Sequence, residues 1–193
     1  MIPQIFGIFL GKITCYKNNF IPLLVIAILL ISCERDDICP GSTPTTPRLI
    51  IDMFDFTNQE NSKNVFGLVV AGEDNEFVLP GFNIVTTNKL ILPLKTDQNT
   101  TRYILIKEAS INNNGTPDDT TDDTYNGNID TITINYERKE VYVSRACGYK
   151  TIFENVTLNL DSSDTDPWIL SQQPLNPNQS VENETTTHFN IFH

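Results

Sequence analysis

The chain has 193 residues, 13 Lys+Arg against 24 Asp+Glu and a formal net charge of −11, with room for one domain of ordinary size. So acidic a surface repels phosphate backbones, and no basic patch offsets it, which excludes nucleic acid as a partner. Charged residues make up only 19% of the chain while Thr, Asn, Ile, Val, Phe and Tyr recur throughout, a composition that favours strands and excludes a helix-rich fold.

The first element is an export signal. Phe20 to Ser32 reads FIPLLVIAILLIS and follows Lys17-Asn18-Asn19. The run is shorter than the ~20 apolar residues that span a bilayer, and it has the length and basic flank of a signal-peptide hydrophobic region. It ends in Leu30-Ile31-Ser32-Cys33, which resembles the lipobox of bacterial lipoproteins. There, small residues before the cysteine admit the signal peptidase and the thiol carries a diacylglyceryl group. Residues 1–32 are therefore expected to be a lipoprotein signal peptide, with Cys33 the acylated (palmitate-bearing) first residue of the mature chain. The stretch before Lys17 is longer than a usual n-region and matches an upstream start-codon assignment; Cys15 goes with it. Cleavage removes Lys12 and Lys17, the only charges before Cys33, and takes the net charge to −13. Two or three acyl chains hold a protein to a membrane far more firmly than one, at about 0.8 kcal/mol per buried methylene.

Glu34, Arg35, Asp36 and Asp37 follow the cysteine. This acidic cluster resembles the surface-export signal of Bacteroidota lipoproteins, so the outer face of the outer membrane is favoured over the periplasmic face. Residues 33–47 then form a lipidated Pro/Thr spacer, Cys39-Pro-Gly-Ser-Thr-Pro-Thr-Thr-Pro47 being stiffened by its prolines. Of the two remaining cysteines, Cys39 and Cys147, an oxidising compartment predicts a disulfide closing a 108-residue separation.

Residues 48–193 are expected to be the folded domain. Strands are predicted at Arg48–Phe56, Val65–Val70, Phe82–Val85, Lys89–Leu94 and Arg102–Lys107, with Leu90, Leu92 and Leu94 on one face. Pro93 lacks a ladder donor and belongs at an edge or bulge. A long polar loop is expected over Ile111–Asn128. Ile132, Ile134 and Tyr136 then alternate with Thr131, Thr133 and Asn135, and a hairpin is predicted to turn at Glu137-Arg-Lys-Glu140 and return through Val141–Ser144. Arg145 and Cys147 share the parity of Val141 and Val143 and are expected to face inward. Val156, Leu158 and Leu160 alternate again. A second long loop is expected over Asp161–Thr187, and His188–Phe192 closes the chain as a last strand. Short strands without a convincing helix predict an all-β antiparallel sandwich of the immunoglobulin/fibronectin kind; their spacing leaves a small barrel open.

The candidate chemistry is sparse. In the acidic loop 118–130, Asp122, Asp123, Asn126, Asn128 and Asp130 are oxygen ligands of the type Ca²⁺ takes. Aligned on Gly127, an EF-hand would need a bidentate Glu where Thr133 stands, so the EF-hand pattern fails and an irregular calcium site is the alternative to a solvated loop. His188 and His193 are the only histidines, both at the far end of the chain, which disfavours a metal site or a Ser-His-Asp arrangement. No Gly-x-Ser-x-Gly, His-Glu-x-x-His or phosphate-cradling glycine loop occurs, and no carboxylate pair stands out for glycosidase work. Trp168, the single tryptophan, is expected to pin a loop or fill the core rather than form a ligand platform. No cofactor is expected, and a hydrolase is the least favoured reading.

With Cys33-Glu-Arg-Asp-Asp-Ile-Cys-Pro40 and Val143-Ser-Arg-Ala-Cys-Gly-Tyr-Lys-Thr-Ile-Phe153 both in view, the chain resembles an uncharacterised Bacteroidota lipoprotein family of unknown function. The resemblance implies a location and carries over no catalytic residue. The resulting expectation is a lipid-anchored envelope module that binds another envelope protein or a glycan through its long loops, with calcium-dependent binding as the alternative.

Overall fold

In the computed structural model the described residues are 38–73 and 77–193. The predicted signal peptide, Cys33 and the Glu34–Asp37 cluster lie outside them. Among the described residues there is no helix, and nine strands form: β1 (Leu49–Phe54), β2 (Val65–Gly72), β3 (Val85–Thr87), β4 (Lys89–Leu92), β5 (Thr100–Asn112), β6 (Thr124–Ser144), β7 (Gly148–Leu160), β8 (Ser171–Pro174) and β9 (Phe189–Phe192). By contacts the chain divides into two units. One contains, among its described residues, 38–41 and 145–147; the other spans 42–144 and 148–193 and holds every strand.

Within the larger unit the strands make two sheets, ordered β4-β1-β9-β8 and β3-β2-β5-β6-β7. The result is a β-sandwich and not a closed barrel. All strand pairs are antiparallel except β1 with β9, which run parallel with Ile51 opposite Phe189 and Met53 opposite Ile191. The core lies between the sheets. Leu49, Ile51, Met53, Leu90, Leu92 and Ile191 from one sheet meet Val65, Leu68, Val70, Leu105, Ile132, Ile134 and Leu158 from the other, all of them fully or almost fully buried. The alternating runs read from the sequence are these inward faces, because successive side chains of a strand point to opposite sides.

The predicted turn at Glu137–Glu140 is corrected: those residues lie in the middle of β6, a single 21-residue strand. Their own side chains are exposed, although Phe153 and Ile152, opposite Arg138 and Lys139 on β7, are buried. Arg138 donates to Asn99 Oδ1 and the Thr96 carbonyl, and Lys139 pairs with Glu154 at 2.7 Å. The chain reverses instead between Ser144 and Gly148, the glycine having a φ of 69°. Arg145 is exposed, not inward, because a register irregularity between Tyr142 and Ser144 breaks the alternation that carried its parity.

The loop expected over Ile111–Asn128 is also shorter than predicted, since β5 runs on to Asn112 and β6 starts at Thr124. A register shift between Lys107 and Ser110 lets β5 continue. Glu108 has a φ of 54° at this bulge, and both flanking strands place a glycine against it. A Cβ on Gly127 of β6 would stand 2.7 Å from the Lys107 carbonyl oxygen, and one on Gly67 of β2 3.2 Å from the Ala109 nitrogen. β8 was not foreseen; its SQQP sequence is polar and carries no strand signature. The run predicted at Phe82–Val85 pairs as a strand only from Val85 to Thr87.

In the smaller unit Cys39 and Cys147 form the predicted disulfide.

Candidate functional site

The five oxygen-bearing residues singled out as calcium ligands fall on two different elements. Asp122 and Asp123 lie in the turn between β5 and β6, whereas Asn126, Asn128 and Asp130 are strand residues of β6. The turn is braced internally. Asn114 Nδ2 donates to the Asp122 carbonyl at 2.6 Å, and Thr116 Oγ1 donates to the Asp122 carboxylate at 3.0 Å. Thr121 Oγ1 likewise donates to Asp119 Oδ1 at 2.6 Å, which holds the Asp119 carboxyl below its ordinary range. Asp123 Oδ1 is buried without a hydrogen-bond partner. Asn126 pairs in register with Ser110.

Asn128 and Asp130 do something else. Asn128 Nδ2 donates to the Asp166 carbonyl at 3.0 Å. Asp130, only 5% exposed, accepts the backbone N–H of Trp168 at 3.1 Å and of Ile169 at 2.8 Å, one on each carboxylate oxygen. Together they clamp the segment after β7 onto β6. Burial pushes the Asp130 carboxyl up, and the two N–H donors work against that shift. Among the described residues no group of three or more His, Cys, Asp or Glu is placed to hold a metal ion.

The clamped segment delivers Trp168 into the core, as expected of a loop-pinning residue. Its ring meets His193 edge-on at 5.6 Å. His193 Nε2 lies 3.3 Å from the Lys63 carbonyl, while Trp168 Nε1 and His193 Nδ1 are buried without hydrogen-bond partners. His188 is 3% exposed; its Nδ1 accepts the N–H of Ile50 at 3.0 Å, and the ring also hydrogen-bonds the Asn183 backbone. Burial lowers the pKa of both imidazoles. His188 therefore fixes the approach to β9 and has no free nitrogen to work as a general base.

A hydroxyl cluster that sequence reasoning missed organises the loop between β4 and β5. Tyr136 OH donates to the Lys95 carbonyl at 2.9 Å and lies 2.6 Å from Thr101 Oγ1, which accepts the Lys95 N–H at 3.0 Å. Tyr103 OH donates to the Pro93 carbonyl. Alternation placed Tyr136 inward but gave no sign that its hydroxyl was committed. Outside this cluster, Thr96, Asn99, Glu137, Arg138, Glu140 and Thr151 line a surface hollow of about 460 Å³. Its hydroxyl, amide and charged groups suit a polar, hydrogen-bonding ligand, and it contains no histidine or cysteine nucleophile.

Residues 65–193, from the start of β2 onward, match the Family of unknown function (DUF6452). The matched span includes Cys147 and the Val143–Phe153 segment but neither Cys39 nor Cys33. No curated protein and no solved structure matches the chain.

Proposed function

The chain belongs to this family of unknown function, and from that premise we propose that it is a lipoprotein of the cell envelope, cleaved before Cys33 and anchored by acyl chains on that residue. The β-sandwich acts as a binding or structural module, displayed on the outer face of the outer membrane. The observation that carries this reading is the Cys39–Cys147 disulfide. Disulfides persist in oxidising compartments and are rare in reducing ones, and this one begins six residues after the lipobox-like cysteine. The basic flank, short apolar run and Ser32-Cys33 junction supply the remaining support. For binding, the polar hollow around Asn99, Arg138 and Glu140 has the hydrogen-bonding groups to take a glycan or a polar loop of another envelope protein. A hydrolase is disfavoured because neither histidine is placed for catalysis.

Calcium-dependent binding, the second reading, narrows to Asp122 and Asp123. The unpartnered Asp123 Oδ1 favours it; the commitment of Asp130 to two backbone donors opposes it. A rise in melting temperature on adding millimolar calcium would support this reading, and none would remove it.

Protease treatment of intact cells tests the display. Loss of the folded domain while a periplasmic control stays intact is expected. Protection until lysis would place the domain in the periplasm and overturn the reading of Glu34–Asp37 as a surface signal.

A further inference from the structure

The second half of β7, beyond the register irregularity between Asn135 and Glu137, turns its main chain alternately towards β6 and away from it. Asp161 donates its N–H to the Thr131 carbonyl at 3.2 Å. In the register that pairs Leu160 with Ile132 and Leu158 with Ile134, the odd-numbered Thr157, Asn159 and Asp161 therefore bond to β6, and the even-numbered residues point out from the sheet edge. Val156 agrees with this phase, its N–H going to the Gln179 carbonyl at 2.7 Å. Leu158 and Leu160 follow it along the same edge, and there neither makes a backbone hydrogen bond to a described residue.

The other sheet edges are blunted. On β8 the outward positions are Gln172 and Pro174, because Leu175 bonds back to His188, and proline has no N–H to offer. On β4 they are Lys89 and Ile91, because the Met53 N–H bonds to the Asn88 carbonyl. Thr87 Oγ1 accepts the Lys89 N–H and donates to the Lys89 carbonyl, each at 3.1 Å. β3 is three residues long. Short strands, prolines and charges are the usual protection of an edge, and Val156-Thr-Leu-Asn-Leu160 has neither proline nor charge.

We propose that this edge pairs with the same edge of a second copy of the chain, antiparallel and about a twofold axis at Asn159. The commitment of the Val156 N–H fixes the register. Leu158 and Leu160 hold the free groups, and they satisfy each other when Leu158 of one copy lies opposite Leu160 of the other. Four backbone hydrogen bonds then join two five-stranded sheets into one of ten. The side chains are self-complementary in this register. Val156 and Leu158 belong to the core and Leu160 packs against it half-buried, so the pairing runs the two cores together. The two Asn159 side chains meet on the exposed face, where a carboxamide both donates and accepts, and each Thr157 hydroxyl stands opposite the Asp161 carboxylate of the second copy. No like charges face each other, which two copies of an acidic chain require. A twofold pairing of one patch with itself closes at two copies.

The test is cysteine cross-linking of the full chain in the cells that make it, with a membrane-permeant thiol oxidant. Residues opposite each other in a non-hydrogen-bonded pair have Cα atoms about 4.5 Å apart, within the reach of a disulfide. Asn159→Cys is expected to run as a reducible dimer, with peptide mapping placing the new bridge between the two Asn159→Cys positions. Thr133→Cys, beside Asn159 on β6, and Thr120→Cys, in the β5–β6 turn, are expected to stay monomeric. Equal cross-linking at all three positions marks random collision and overturns the pairing, as does no dimer at Asn159→Cys. A bridge from Asn159→Cys to a different protein puts a foreign strand on this edge and overturns self-pairing too. Asn159 is exposed, so Asn159→Lys leaves the fold intact while setting two ammonium groups against each other. In detergent solution the wild-type chain is expected to sediment as a dimer and Asn159→Lys as a monomer; equal masses would contradict the proposal.

Discussion

Asp130 Oδ2 accepts the backbone N–H of Ile169 across 39 positions of sequence, at 2.8 Å in a buried hydrogen bond. With its other oxygen on the Trp168 N–H, this carboxylate ties the segment after β7 to β6 and so sets where Trp168 enters the core. A residue that looked like a calcium ligand in the sequence is in the structure a clamp on the main chain.

Asp130→Ala leaves two buried N–H groups without acceptors. Each such loss costs about 1–3 kcal/mol, so a destabilisation of roughly 3 kcal/mol is expected in urea unfolding. Asp130→Asn keeps one acceptor and should lose about half as much. Both losses should be the same in EDTA and in calcium; a loss seen only in calcium would return Asp130 to a metal site.

Gly127→Ala places its Cβ 2.6 Å from Ile106 Cγ2 and 2.7 Å from the Lys107 carbonyl oxygen, with a backbone φ of +152° that side chains rarely adopt. Overpacking of this kind costs about 1–3 kcal/mol. A lowered melting temperature with an unchanged β-sheet circular dichroism spectrum is expected. Gly115→Ala, in open space at the β5–β6 turn though also at positive φ, should cost less, and equal losses at both sites would mean that the bulge does not crowd β6.

The disulfide closes a separation of 108 residues. Loop-closure entropy assigns such a bridge on the order of 4–5 kcal/mol. Cys147→Ser should therefore lower the denaturation midpoint substantially. Adding Cys39→Ser to it should cost nothing further, because the two thiols act as one bond. A clearly additive double variant would show that each cysteine contributes through its own packing.

Acid should weaken the fold before the carboxylates begin to protonate. Burial holds His188 and His193 below their ordinary pKa of 6.5, so as pH falls through that value the unfolded chain takes up protons that the folded chain refuses. Stability then declines until pH reaches the folded pKa values, where the loss is complete. The depressed carboxyls of Asp119, Asp161 and Glu184 add a further decline only as pH falls below their ordinary range, about 4. Asp130, whose carboxyl is raised, works in the opposite sense, losing stability as pH rises through its folded value. Melting temperatures at about pH 7.5 and 5.5 should differ, with the higher value at the higher pH, and His193→Phe should narrow the gap. A melting temperature that rises on acidification across this range would contradict the assignment.

Much of the fold is legible in the sequence where one physical signal acts alone. Leu90, Leu92 and Leu94, Ile132, Ile134 and Tyr136, and Val156 and Leu158 alternate because one face of each strand is buried and the other is not, and a strand must alternate in that setting. The signal fails in the middle of β6, where the strand's own side chains are exposed although Ile152 and Phe153 opposite them on β7 are buried. Glu137 to Glu140 are all solvated, and a polar run inside a strand looks the same in sequence as a turn. Arg145 was misplaced for a related reason: parity counts residues, and a bulge adds one. β8 carried no signal, its three polar residues and a proline becoming a strand by pairing with β9.

The candidate site was less legible than the fold. Asn128 and Asp130 belong to the same acidic stretch as Asp122 and Asp123, and composition cannot distinguish a carboxylate that faces solvent from one that caps a distant backbone segment. What separates them is the position of Trp168 and Ile169, 38 and 39 residues further on. The cysteine pairing was legible through an expectation: with Cys15 cleaved off and Cys33 acylated, Cys39 and Cys147 are the one pair that an oxidising compartment would join.

The central claim is the anchor on Cys33, and metabolic labelling with an alkyne-bearing palmitate tests it most directly. The mature wild-type chain should take up the label and partition with membranes, and Cys33→Ala should take up none and remain at its precursor length. Equal labelling of the two chains, or an unlabelled wild-type chain that is exported and folded, would contradict the account.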